Sequence, residues 1–166
     1  MNIVLIGYRG TGKSTVGKIV AARLGRPVIS TDAEIVKRAG KNIPEIVAQH
    51  GWEYFRDLES QVCGELAGQD AIVIDTGGGA ILRSENVEQL KGNGILFWLT
   101  ASVESIAQRI GRDNQRPSLT GTKSFVEEIE EVLRERTPKY RTAADHIIET
   151  DGRSILQIAD EVLARL

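Results

Sequence analysis

Apolar residues along this chain fall into short runs separated by longer stretches of helical spacing. Asn2–Ile6 (NIVLI) ends at Gly7 and predicts a buried strand. Lys13–Leu24 carries Val16, Ile19, Val20 and Leu24 at helical intervals, and Gly25 follows as a C-terminal stop. Pro27–Ser30 predicts a second strand. Asp32 then fits the cap of a helix running to about Ala39, again closed by a glycine, Gly40. Asn42 and Pro44 open a further helix, and Trp52–Leu66 a longer one with Phe55, Leu58 and Val62 on one stripe. Ala71–Asp75, Gly94–Leu99 and Asp145–Glu149 predict strands three to five, with helical patterns in both intervals and a last helix over Ser154–Leu166.

Strands alternating with helices imply an α/β domain with a parallel sheet covered on both faces. Ligands of such sheets bind beyond the carboxyl ends of the strands. In this chain those ends carry Gly7–Ser14, Ser30–Asp32, Asp75–Gly79 and Thr100. At 166 residues, 41% hydrophobic and 27% charged, the chain fits one ordered domain. A net charge of −2 gives no global basic footprint for nucleic acid. Cys63 is the one cysteine, which excludes an internal disulfide or a cysteine metal cluster and fits a reduced cytoplasm. The apolar run after Met1 is too short for a signal peptide or a membrane span.

The chemistry begins at Gly7–Thr15 (GYRGTGKST). Gly7, Gly12, Lys13 and Ser14 fit G-x-x-x-x-G-K-[ST], after a strand and before a helix. In a phosphate loop of this kind the backbone N–H groups of Gly10, Thr11, Gly12, Lys13, Ser14 and Thr15 turn toward a nucleotide's phosphates, and the helix N-terminus adds partial positive charge. Lys13 would bridge the β- and γ-phosphates and Ser14 would ligate Mg²⁺. Asp75-Thr76-Gly77-Gly78 also reads as the D-x-x-G of GTPases, but the guanine-reading N-K-x-D is absent. Arg56 and Glu59, three apart, share a helix face. Arg116 lies in the glycine- and proline-containing segment Gly111–Thr122, where a lid arginine could reach a triphosphate. Arg136 is expected near the end of a glutamate-rich helix. Cys63, His50, His146 and Trp98 fit structural roles, and Trp52 fits the wall of an acceptor pocket.

In this order the motifs resemble the shikimate kinases over essentially the whole chain. The resemblance rests on the phosphate loop, Thr31-Asp32, Ile43-x-Glu-Ile46, Gly51-x-Glu-x-Phe-Arg-x-x-Glu59, Gly77-Gly78-Gly79, Arg116-Pro117, and Arg136 with Tyr140. It implies a P-loop NTPase fold of the nucleoside-monophosphate-kinase type. The five-stranded parallel sheet would have the order 2-3-1-4-5, with substrate-binding helices over about 32–66 and a lid over about 111–122. It implies a single kinase domain, monomeric, passing the γ-phosphoryl of Mg·ATP to the 3-hydroxyl of shikimate. By position, Lys13, Asp32 and Arg116 would be catalytic, with Asp32 orienting or deprotonating the acceptor hydroxyl. Arg56 and Arg136 would bind the substrate carboxylate, Gly77, Gly78 and Gly79 would face the substrate, and Glu59 would hold Arg56. Arg109 would stack on adenine, with Arg153 a second candidate.

Three positions depart from the family pattern. Ser30 stands where the family's second strand usually carries the first carboxylate of Asp-x-Asp, one that helps organise Mg²⁺ through water. Asp75 stands where a small or neutral residue is usual, so it is expected to replace that carboxylate from the neighbouring strand, working with Ser14 on the metal. Ser118 replaces a lid leucine. Two rival functions stay open: a kinase for a related acid such as quinate or gluconate, and a binding or regulatory relative without turnover.

Overall fold

A computed structural model describes residues 1–111 and 124–166. Five parallel strands form one sheet: β1 (Asn2–Ile6), β2 (Val28–Ser30), β3 (Val73–Asp75), β4 (Gly94–Thr100) and β5 (His146–Glu149). Their order is β2-β3-β1-β4-β5, as the resemblance implied.

Alternate side chains of each strand enter opposite layers, because successive residues of a strand point to opposite faces. Ile3 and Leu5 of β1, Val73 of β3 and Phe97 and Leu99 of β4 form one core. Helices α1 (Lys13–Leu24) and α8 (Ile155–Ala164) cover it with Val16, Val20, Ile158 and Val162. Val4 and Ile6, Ile74, and Leu96 and Trp98 form the other. Covering it are α2 (Thr31–Ala39), α3 (Ile43–His50), α4 (Trp52–Ala67), α5 (Ser84–Gly92) and α7 (Phe125–Ala143). A smaller cluster joins Tyr8 to Ile106 and Ile110 of α6 (Val103–Ile110) and to Ile129 and Val132 of α7. Among the described residues no helix is long and apolar enough to cross a membrane.

Two boundaries differ from the sequence expectation in ways that matter for the site. Ser30, not Asp32, caps α2: its hydroxyl accepts the Ala33 N–H at 3.2 Å, and the helix already includes Thr31 and Asp32. Asp32 therefore sits in the first turn, where its charge is favoured by the helix dipole and its side chain is released from capping. Arg136 is not near a helix end. Helix α7 runs through Pro138 to Ala143, although proline removes an N–H and crowds the preceding turn. The buried stripe Ile129, Val132, Arg136, Tyr140 and Ala143 is what holds the helix together past that point. Strands β2 and β3 are shorter than predicted, because Pro27 lacks the N–H a ladder needs and Ala71 takes φ +57°.

Candidate active site

At the carboxyl end of β1 the chain turns through Gly7, Gly10 and Gly12, all at positive φ, and enters α1 at Lys13. A side chain at Gly7 would put its Cβ 2.6 Å from the Leu99 carbonyl. The loop lies tight against β4 for that reason. Thr11 Oγ1 donates to the Tyr8 carbonyl at 2.9 Å, and Lys13 is buried with Nζ donating to the carbonyls of Gly7 and Tyr8 at 2.7 and 2.9 Å. Lys13 is thus held along the loop by two of its carbonyls.

Beside the loop is a polar cleft of about 360 Å³. Gly10, Gly12, Lys13, Ser14 and Thr15 line one wall; Ser30, Asp32, Asp75, Thr76 and Gly78 line the other. The strand ends predicted to meet do meet. Ser14 Oγ donates to Asp75 Oδ2 at 2.6 Å. Among the described residues no group of three His, Cys, Asp or Glu forms a metal cage.

The second half of the site is built around Gly77, Gly78 and Gly79. The Gly77 N–H donates to Thr31 Oγ1 at 2.9 Å, tying this loop to α2. Tyr140 Oη donates to the Gly78 carbonyl at 2.5 Å, tying it to α7. Burial pushes the Tyr140 phenol up to about 12, the nearby Arg136 guanidinium only partly offsetting it, so it remains a donor at neutral pH. Each glycine leaves room for charged side chains. A Cβ on Gly77 would lie 2.7 Å from Asp32 Oδ1 and 3.0 Å from Glu59 Oε2. One on Gly78 would lie 3.4 Å from Arg136 Nη1, and one on Gly79 2.5 Å from Arg56 Cζ. The glycines thus let Asp32, Arg136 and Arg56 converge on one short loop.

Arg56 and Glu59 form the expected pair, Nη1 to Oε1 at 2.9 Å. Glu59 is almost fully buried and Arg56 only partly exposed, so this is not a solvent-screened surface pair. Burial raises the Glu59 carboxyl above its ordinary range, with Arg56 the main group opposing the shift. The Arg56 guanidinium lies 5.3 Å from both the Trp52 and Phe55 ring centroids. Trp52, expected as a pocket wall, is found packed against that cation.

The remaining candidates divide. Arg109 Nη1 donates to the Gly10 carbonyl at 3.0 Å, which ties α6 to the phosphate loop. Arg153 does not join the cleft: it donates to the Glu149 carbonyl and pairs with Glu161 at 2.7 Å. Those two contacts anchor it to β5 and α8. Arg116 and the lid expected over 111–122, Gly111 apart, lie outside the described residues.

One contributor escaped the sequence reading, and a second was named there without its contact. Arg9 lines the cleft, and its Nε is buried without a hydrogen-bond partner among the described residues. The phosphate-loop pattern leaves that position open, so nothing in the motif singles it out. Tyr140 was part of the motif set, but its hydrogen bond spans 62 residues and only the fold reveals it.

Comparison with known proteins fits this geometry. A family model described as shikimate kinase matches residues 9–166. The shikimate kinase of Syntrophus aciditrophicus is 45% identical over 175 aligned positions, covering 99% of this chain and 90% of that protein. The chain belongs to the shikimate kinase family. The shikimate kinase of Nitratidesulfovibrio vulgaris is 42% identical, covering 99% of this chain and 94% of that protein. Among solved structures, a shikimate kinase from Acinetobacter baumannii in complex with shikimate superposes with a TM-score of 0.94 at 38% identity, covering 99% of this chain and 91% of that one. A gluconokinase from Sinorhizobium meliloti, at 18% identity and a TM-score of 0.56, shares the fold alone. Membership of the shikimate kinase family fits the convergence of Arg56, Asp32 and Arg136 on the glycine loop.

Proposed function

We propose that this protein transfers the γ-phosphoryl group of ATP to the 3-hydroxyl of shikimate, giving ADP and shikimate 3-phosphate on the route to chorismate and the aromatic amino acids. The observation that carries the proposal is the convergence of Arg56, Arg136 and Asp32 on Gly77–Gly79, directly beside the phosphate loop. Two guanidinium groups suit a fixed carboxylate, which they can grip bidentately. Asp32 suits a hydroxyl, as acceptor of its proton.

In the reaction a bond forms between the acceptor oxygen and the γ-phosphorus, and the bond from that phosphorus to the β,γ-bridging oxygen breaks. The hydroxyl proton passes to the Asp32 carboxylate. Such transfers need in-line positioning and neutralisation of charge more than covalent chemistry. Arg56, held by Glu59, and Arg136, packed under Tyr8 and Gly78, set the acceptor's position. The loop N–H groups and Lys13 set that of the phosphates.

Mg²⁺ fits the donor set. Magnesium prefers oxygen ligands and is usually held by one or two protein groups plus substrate phosphates, and the cleft offers the Ser14 hydroxyl and carboxylates rather than a protein cage. When bound it would neutralise charge on the phosphate oxygens. Arg116 is the proposed lid cation, Arg109 the proposed adenine contact, and Arg153 the weaker candidate for it. We expect a cytoplasmic monomer, to be checked by fractionation and by light scattering.

The deciding experiment measures ADP release by purified protein from Mg·ATP with shikimate, quinate, gluconate or no acceptor. Release that depends on shikimate is the expected result. Equal release with quinate or gluconate would move the acceptor assignment. ATP binding with no release on any acceptor would make this a binding relative of the kinases.

A further inference from the structure

Two carboxylates line the cleft beside the phosphate loop, Asp32 and Asp75. Asp32 faces Gly77 and the acceptor side. Asp75 meets the phosphate loop at Ser14. It ends β3, next to the phosphate-loop strand β1, in register with Leu5. Its side chain is buried, and its one hydrogen bond among the described residues comes from Ser14. No described cation forms an ion pair with it. A buried carboxylate is ordinarily paired with a cation or bound to a metal. Here the partner is the hydroxyl that follows the phosphate-loop lysine, a group suited to a metal ligand.

The neighbouring strand sharpens the point. Ser30 of β2 is the direct parallel partner of Asp75, so the two Cα atoms stand about one strand spacing apart, ~4.8 Å. Ser30 also lines the cleft, but it is neutral and its oxygen is committed to capping α2. Negative charge at this corner of the sheet therefore comes from β3.

We infer that Asp75 is the carboxylate that positions the nucleotide's divalent cation, acting on the Ser14 side and through the cation's water shell, and that it does from β3 what Ser30 is unable to do from β2. The inference deepens the proposed kinase reading and rests on it. Asp75 is a positioning residue here. It orients the Ser14 lone pairs by accepting a hydrogen bond from that hydroxyl, and it supplies the negative charge a hard cation requires.

The test uses Mn²⁺ and ADP on the full chain, without acceptor, so it does not depend on the identity of the acceptor. Mn²⁺ affinity of the protein–ADP complex is read from the free-ion resonance, and metal-free ADP affinity is measured alongside. Asp75→Asn should weaken Mn²⁺ binding by about 10- to 100-fold, as loss of a metal-orienting group does, with metal-free ADP affinity nearly unchanged. Adding Ser30→Asp to that variant should restore most of the loss, because aspartate can still cap α2. Ser30→Asp alone, in the otherwise native chain, should change Mn²⁺ affinity by less than about 3-fold, since the role is already filled. Wild-type Mn²⁺ affinity in Asp75→Asn overturns the inference. So does a 10-fold gain from Ser30→Asp alone, a result that needs no substitution at Asp75 and stands even if Asp75→Asn fails to fold. Either failure would leave shikimate-dependent ADP release by the native protein untouched.

Discussion

The Arg56 guanidinium occupies the space where a side chain on Gly79 would be: a Cβ there would stand 2.5 Å from Arg56 Cζ. Real Cβ contacts do not come so close, and Arg56 is held from behind by Glu59 and flanked by Trp52 and Phe55. Gly79→Ala should therefore displace the guanidinium rather than the backbone. The expected outcome is a drop of about 100-fold in kcat/KM for shikimate, from misplacement of a positioning group, with KM for ATP changed little. Steady-state kinetics varying each substrate in turn checks it. Equal damage to both substrates would mean that the loop, not Arg56, had moved.

The pattern of short apolar runs was enough to assign all five strands: β1, β3 and β4 are buried along most of their length, and the edge strands β2 and β5 each keep an adjacent apolar pair. The phosphate loop and the Arg56–Glu59 pair were equally legible, being local in sequence. What the sequence hid was set by tertiary contacts. Arg136 was expected near a helix end, yet the buried stripe from Ile129 to Ala143 carries α7 on through Pro138. Asp32 had the composition of a cap, yet Ser30 two residues earlier took that role and left Asp32 facing the cleft. The pairing of Ser14 with Asp75 could be expected from neighbouring strands, but its geometry came only with the register.

Tyr140→Phe tests how the glycine loop is held from α7. The substitution removes the donor to the Gly78 carbonyl and leaves that buried acceptor unpaired. The expected loss of stability is about 1–3 kcal/mol, the cost of an unsatisfied buried group. Since Gly78 also abuts Arg136, affinity for shikimate should fall while ADP binding stays near normal. Urea unfolding and isothermal titration with each ligand would show it, and unchanged stability would mean the hydrogen bond adds nothing net.

Glu59→Gln separates charge from shape in the Arg56 pair. Glutamine keeps an acceptor for Arg56 Nη1 but removes the anion that opposes its charge. Because burial already disfavours the Glu59 carboxylate, the fold should tolerate the neutral side chain. The expected effect falls on the acceptor: KM for shikimate rises about 10-fold, and the melting temperature is maintained or higher. A fall of several degrees with normal KM would make Glu59 a stability residue only.

Cys63 provides a test of the core by pH. It is fully buried on α4, and burial, assisted by the nearby Glu59 charge, pushes its thiol from 9.0 up to about 12. The unfolded chain therefore releases this proton at lower pH than the folded chain. Between those two values the folded state binds more protons, so stability falls as pH rises and is fully present below pH 9. From pH 8 to pH 9.5 the expected loss from this group is about 0.8 kcal/mol. Cys63→Ala should remove that part of the slope, even though it lowers stability at every pH by leaving a small cavity. Urea titrations of both proteins at the two pH values measure it. In the native protein at pH 8 a disulfide reagent such as dithionitrobenzoate should label Cys63 only as fast as the fold opens. Rapid labelling under native conditions would show the helix α4 core to be less closed than its burial implies.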